Sequence, residues 1–181
     1  MKNLTNKKPF VVWFLGLSGS GKTALAMQLK KKLNNSAINT VTLDGDQLRK
    51  GVNVDLGFND EDRKENLRRA LEIALILTEQ NFSVIAAFIT PFEEDRQIIR
   101  KRFKDTNFIE VYVSTPLNIC EQRDSKKLYQ SVRAGNIKNF TGISSNFEVP
   151  KNPHLVIDNS TLMPEIQSEI IFNYMLKNRY I

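Results

Sequence analysis

The chain has 181 residues, enough to bury a core without disulfides or metals to staple it, and its 41% hydrophobic and 25% charged content is ordinary for a globular protein. A formal net charge of +6, with pI near 9.4, admits either a nucleic-acid surface or a site for small polyanions. The basic residues are dispersed, and the short runs Lys30-Lys31-Lys32 and Arg100-Lys101-Arg102 read as solvated helix faces, which disfavours DNA or RNA as a partner. A single cysteine, Cys120, excludes an intrachain disulfide, and a single histidine, His154, argues against a histidine dyad or a zinc cluster.

Met1 to Lys8 is polar and lacks an apolar signal-like stretch, and no run approaches membrane-spanning length, so a cytoplasmic protein is expected. Phe10 to Gly16 reads as a buried first strand, because a continuous apolar run fits a parallel sheet covered on both faces. The segment 22–33 has helical spacing. Ile38 to Leu43 is a β-branched run that ends in Asp44-Gly45-Asp46. A short helix and loop are expected over 47–54. Asn59 is placed to cap a helix whose first turn holds Asp60, Glu61 and Asp62, and whose apolar stripe runs through Leu67, Ala70, Leu71 and Ala74 to Gln80. Strand 83–89, helix 92–103, strand 108–113 and a helix to about Arg123 follow. The segment 124–153 is polar and aromatic with little periodicity, the signature of a functional lid or of disorder. A strand at 155–157 and an amphipathic helix at 164–177 close the chain. This alternation predicts a three-layer α/β/α architecture, with a parallel sheet of about five strands, in a single domain spanning 1–181.

Between the first strand and the first helix lies Gly16-Leu17-Ser18-Gly19-Ser20-Gly21-Lys22-Thr23, a G-x-x-x-x-G-K-[ST] phosphate loop in its proper strand–turn–helix context. Its glycines let backbone N–H groups of Ser18 to Gly21 point inward, and the helix N-terminus adds positive potential. Lys22 supplies a cation for the β- and γ-phosphates of ATP, and the Thr23 hydroxyl can ligate Mg²⁺. Ligands of parallel sheets bind beyond the carboxyl ends of the strands, so Asp44, Asp46, Ile89 and Thr90 should gather beside this loop. The third strand ends in Thr90 rather than an aspartate, and no guanine-reading tetrad is present, which speaks against a GTPase switch. Two carboxylates near a phosphate loop fit a metabolite kinase, where one orients or deprotonates an acceptor hydroxyl; a plain turn is the other reading. Arg49, Arg63 and Lys138 are available for an anionic acceptor, and Arg63 and Asn66 share a helix face. Phe58 and Phe140 can stack a base or simply pack in the core.

Taken together, the phosphate loop, Leu43-Asp44-Gly45-Asp46 with Arg49, Leu56-Gly57-Phe58, Asp62-Arg63-Lys64-Glu65-Asn66, Phe88-Ile89-Thr90-Pro91 and Lys138-Asn139-Phe140-Thr141-Gly142-Ile143 resemble adenylylsulfate (APS) kinases over about residues 10–158. The resemblance implies transfer of the ATP γ-phosphoryl to the ribose 3′-hydroxyl of APS, giving PAPS. It implies that Lys22 and Thr23 serve ATP and Mg²⁺, and that Asp44 and Asp46 sit at the acceptor hydroxyl and metal, with Asp46 base-like. Arg49, Arg63, Asn66 and Lys138 would hold the phosphosulfate side, and Phe58, Phe140 and Ile89 the acceptor base. Arg123 and the 124–150 segment would close over ATP, and a homodimer is the expected assembly. The chain departs from the family's usual residues at Ala24, Gln47-Leu48, Lys50, Thr90, Lys127 and Ser144. Gln47, Lys50 and Ser144 fall in loops expected to line or cover the acceptor site. A relative acting on another activated nucleotide, such as cytidine diphosphoramidate, is therefore the alternative.

Overall fold

The computed structural model describes residues 8–104 and 106–181; the polar stretch 1–7 lies outside them. Five strands form one parallel sheet: β1 (Phe10–Leu15), β2 (Thr40–Asp44), β3 (Ser83–Ala87), β4 (Asn107–Val113) and β5 (Leu155–Ile157), in the order β2-β3-β1-β4-β5. The helices are α1 (Lys22–Asn35), α2 (Gly45–Leu48), α3 (Asp60–Glu79), α4 (Glu93–Arg102), α5 (Leu117–Arg123), α6 (Leu128–Arg133) and α7 (Pro164–Lys177).

The pleat of β1 divides the core. Phe10, Val12 and Phe14 pack with Leu25, Leu29 and Leu33 of α1 and Ile171 and Met175 of α7. Val11, Trp13 and Leu15 face the other way, onto Leu67 and Leu71 of α3 and Ile99 of α4. All six β1 residues are buried, as expected for a central strand covered on both faces, and each such side chain contributes about 1.5–3 kcal/mol of transfer free energy. Asn59 caps α3 as its sequence predicts, accepting from the Asp62 N–H at 2.8 Å.

Three expectations need correction. Strand β2 starts at Thr40, not Ile38, because Ala37 takes a left-handed φ of 57° and the Ile38 N–H turns back to Leu33 O. The short helix starts earlier and stops sooner than 47–54: Asp44 caps it by accepting from the Asp46 and Gln47 N–H groups, and residues 50–56 continue as successive turns. The segment 124–153 is not wholly irregular. It contains α6, whose start is held by Asp124 accepting from the Tyr129 and Gln130 N–H groups at 3.0 and 2.9 Å. Leu128, Tyr129 and Val132 of α6 form a small separate core with Cys120, Phe140 and Leu117. Lys127, just before α6, has a φ of 56°, a conformation in which glycine would be unstrained.

The basic runs are also less solvated than their sequence implies. Arg100 binds the buried Glu110 at 2.7 Å and Glu93 at 2.6 Å, and Arg102 binds Glu72 at 2.9 Å. His154 is exposed and accepts from the Glu110 N–H at 3.1 Å. Cys120 is buried, a packing residue as expected. Among the described residues no helix is long and apolar enough to cross a membrane.

Candidate active site

The loop after β1 closes against β3 and β4. Gly16 donates to Ile89 O at 3.2 Å. Its φ is 145°, and any Cβ it carried would lie only 2.5 Å from Val113 O, so the position has room for glycine alone. Gly21, at φ 99°, ends the loop, and a Cβ there would collide with the Asn159 amide. Three side chains brace this turn from outside: Thr115 and Asn159 both donate to Ser20 O at 2.8 Å, and the Tyr129 hydroxyl donates to Ser18 O at 2.8 Å. The loop is thereby held in place at the rim of a cavity of about 970 Å³ at the carboxyl ends of the strands, where Ser18, Gly19 and Gly21 reach the lining.

Ser18, Gly19, Gly21, Lys22 and Thr23 line that cavity, whereas Gly16 and Ser20 stand behind its wall, Ser20 fully buried. Lys22 is folded back onto the loop and donates to Gly16 O at 2.9 Å and Leu17 O at 2.7 Å. Burial pushes its ammonium pKa down to about 8, against the opposing pull of nearby charges that include Asp44 and Asp46. The Thr23 hydroxyl donates to the Asp44 carboxylate at 2.8 Å. Asp44 is thus three things at once: the end of β2, the cap of α2, and the partner of the phosphate-loop threonine. The plain-turn reading of this pair accounts for the cap alone.

Asp46 lines the cavity one turn further on, exposed and ion-paired with Lys126 from the segment before α6. Arg49, Phe58, Arg63, Asn66, Ile89, Thr90 and Phe140 line the same cavity. Arg49 donates to Leu56 O and Gly57 O, and Arg63 donates to Phe58 O at 2.7 Å, to Asn139 O at 2.6 Å and to the Thr141 hydroxyl. These hydrogen-bond partners are neutral, although the carboxylates of Asp62 and Asp46 act on Arg49 and that of Asp60 on Arg63 from farther off. Desolvation lowers both pKa values from the ordinary arginine range, the signature of cations held partly out of water. Arg63 also ties α3 to the 139–141 turn, an interaction between residues far apart in sequence.

Several sequence-derived assignments change in detail. Lys138 is exposed and does not line the cavity. Phe140 is buried and packs edge-on against Tyr129, ring centroids 4.9 Å apart, so its role is structural as well as cavity-lining. Phe58 is 61% exposed, so it is not a core residue, and the Arg49 guanidinium sits 4.5 Å from its ring centroid as a cation–π pair. Thr90 sits at a left-handed φ of 46° and accepts from the buried Trp13 indole N–H at 3.0 Å. Gln47, Lys50 and Ser144 do not line the cavity; the Ser144 hydroxyl instead accepts from the Phe140 N–H at 2.9 Å. Of the departures from the family pattern, only Ala24 and Thr90 reach the cavity wall.

Arg123 lines the cavity at the phosphate-loop end and donates to Asn159 O. Beside it are Asn159, Leu162 and Pro164, which, like Lys126 and Thr141, were not expected from the sequence. The available signal for Asn159 was its place just beyond the last strand, where ligands of parallel sheets bind. Lys126 carried none, since a lysine in a polar stretch reads as solvated.

The sequence matches the family model for adenylylsulphate kinase over residues 8–158. It is 50% identical over 168 residues to a probable adenylyl-sulfate kinase of Halalkalibacterium halodurans, covering 93% of this chain and 83% of that protein. It is 44% identical over 170 residues to the adenylyl-sulfate kinase of Enterobacter sp., covering 94% and 85%. The fold is similar to that of the Mycobacterium tuberculosis APS kinase solved in complex with AMPPNP and APS, at a TM-score of 0.89 and 42% identity, over 93% of this chain and 98% of that one. With the family model matched over most of its length and relatives at 44–50% identity, the chain belongs to the adenylylsulphate kinase family.

Proposed function

We propose that the protein transfers the γ-phosphoryl of ATP to the ribose 3′-hydroxyl of adenylyl sulfate, forming PAPS and ADP. The observation that carries this is one cavity lined by the phosphate loop, by Asp44 and Asp46, and by two guanidiniums that form no ion pair among the described residues. Two anionic nucleotides can meet there with their reacting atoms over the carboxylates. The similar M. tuberculosis protein is in complex with both AMPPNP and APS, which supports a site for two nucleotides.

In this mechanism the loop N–H groups and Lys22 hold the ATP phosphates and stabilise charge on the transferring group. Thr23 and Asp44 would hold Mg²⁺; a hydroxyl bonded to a carboxylate at 2.8 Å suits an ion that keeps several waters and few protein ligands. Bound Mg²⁺ neutralises phosphate charge. Asp46 orients the acceptor hydroxyl and takes its proton, and its pairing with Lys126 couples that carboxylate to the segment 124–153, which serves as the lid. Arg49, Arg63 and Asn66 bind the phosphosulfate, and Phe58, Ile89 and Phe140 bound the acceptor base. Arg123 closes on the ATP side. The protein functions as a single kinase unit that assembles as a homodimer.

An ADP-release assay with APS beside cytidine diphosphoramidate tests the acceptor. Turnover with APS is expected. Turnover confined to the cytidine compound would reassign the enzyme to that acceptor. Phe140→Ala is expected to raise the acceptor KM more than the ATP KM. The lost buried ring should also cost about 3 kcal/mol, a Tm fall of roughly 6–12 °C measured by thermal denaturation.

A further inference from the structure

Asn53 is fully buried, does not line the cavity, and is not used by the mechanism above. The turns after α2 place it against the second turn of α3, its own N–H bonded to Leu48 O at 2.9 Å. Its side-chain Nδ2 donates to Asn66 Oδ1 at 2.8 Å. Asn66 is itself buried and lines the cavity. A carboxamide carries an acceptor on one side and two donors on the other. With its oxygen held by Asn53, Asn66 has its NH₂ group left over for the cavity that it lines.

The neighbouring backbone keeps Asn53 in place. Arg69 of α3 donates to Val52 O at 3.1 Å and to Asp55 at 2.7 and 2.8 Å, and is braced by Glu65 at 2.8 Å. The residues flanking Asn53 on both sides are therefore stapled to the helix that carries Asn66. Asn53 Oδ1, meanwhile, is buried with no hydrogen-bond partner among the described residues. An unpaired buried carbonyl is a cost that an apolar side chain of the same size avoids. The asparagine makes sense where its donor end is needed.

We infer that Asn53 is a positioning residue that fixes the Asn66 amide with its N–H donors toward the acceptor, so that the site favours an acceptor-only anionic group, a phosphate or sulfate oxygen, at that point. The inference rests on the proposed reading of the cavity as a two-nucleotide site. The wild type is first assayed with APS and with cytidine diphosphoramidate, and the acceptor it phosphorylates is used throughout. Turnover of neither overturns the function and this inference with it.

Asn53→Leu removes the donor and the unpaired oxygen together. It is expected to raise the acceptor KM about tenfold, the effect of one hydrogen bond to a charged group, while the ATP KM and Tm stay near wild type. In an Asn66→Ala background the same substitution should add nothing to the acceptor KM. An equal rise in both KM values, a fall in Tm without a change in acceptor KM, or additive effects in the double variant would overturn the assignment while leaving the function intact. Asn66→Asp tests the orientation without altering Asn53. It keeps an oxygen toward Asn53 and replaces the outward donors, so Tm should hold while the acceptor KM rises. A Tm loss as large as that of Asn66→Ala would mean that nitrogen faces Asn53, and the proposal would fall.

Discussion

Lys22→Ala is expected to lower turnover by about 10²-fold or more, the usual cost of removing one preorganised group that stabilises charge in the transition state. Among the described residues the wild-type lysine hydrogen-bonds two loop carbonyls, Gly16 O and Leu17 O, in a buried setting. Its removal should therefore leave the fold intact, with Tm close to that of the wild type. The same side chain sets a pH dependence. Its ammonium is lowered to about 8 by burial, and only the protonated form attracts phosphate. Activity that depends on it should be complete well below pH 8 and lost as pH rises through about 8. Because kcat/KM reports the free enzyme, that profile measured for ATP should show the loss, while kcat, which reports the nucleotide-bound state, should hold to higher pH as the phosphates stabilise the ammonium. ATP is already fully ionised in this range and does not produce the fall. Near-normal turnover of Lys22→Ala would remove the lysine from the mechanism.

Asp46→Asn should be comparably damaging, with kcat down by roughly 10²–10⁴-fold, the span general-base groups contribute, and the ATP KM little changed. The substitution keeps shape and removes charge. It also releases Lys126, since the ion pair joining Asp46 to the segment before α6 needs a carboxylate. That pair is exposed and contributes little to stability, so Tm should barely move. Asp44→Asn makes an informative contrast. Asp44 caps α2 and accepts from Thr23, so its variant should lower both Tm and the apparent affinity for Mg²⁺ in steady-state titrations, whereas Asp46→Asn should lower turnover alone. If the two variants behaved alike in all three measurements, the division of labour between the aspartates would be wrong.

Much of this site was legible because its chemistry is local. The phosphate loop is eight consecutive residues between an apolar run and a helix, and the loop, its glycines and its lysine stand where that pattern puts them. Arg63 and Asn66 are three apart on α3 and do share the cavity wall, since helical spacing alone determines that they do. The parallel sheet followed from alternating apolar runs and amphipathic stretches, and the rule that ligands gather at strand ends brought Asp44, Asp46, Ile89 and Thr90 to the loop.

What the linear order could not carry are contacts whose partners lie far apart along the chain. Lys126 finds Asp46 across 80 residues, Arg63 finds Thr141 across 78, and Asn159 finds Ser20 across 139. Each joins a loop to another loop or to a helix, where no periodicity records direction. Helix α6 was hidden for the same reason: six residues show too little repeat to register, and its stability comes from Asp124 and from packing on Cys120 and Phe140. Sequence alone thus determined the sheet, the phosphate cradle and the pair of aspartates, all specified by neighbouring residues and backbone geometry. Tertiary structure alone decided that Lys138 stays outside, that Arg49 covers Phe58, and that Asn53 bonds Asn66, because side-chain pairing is settled by which surfaces the packed elements bring within hydrogen-bond reach.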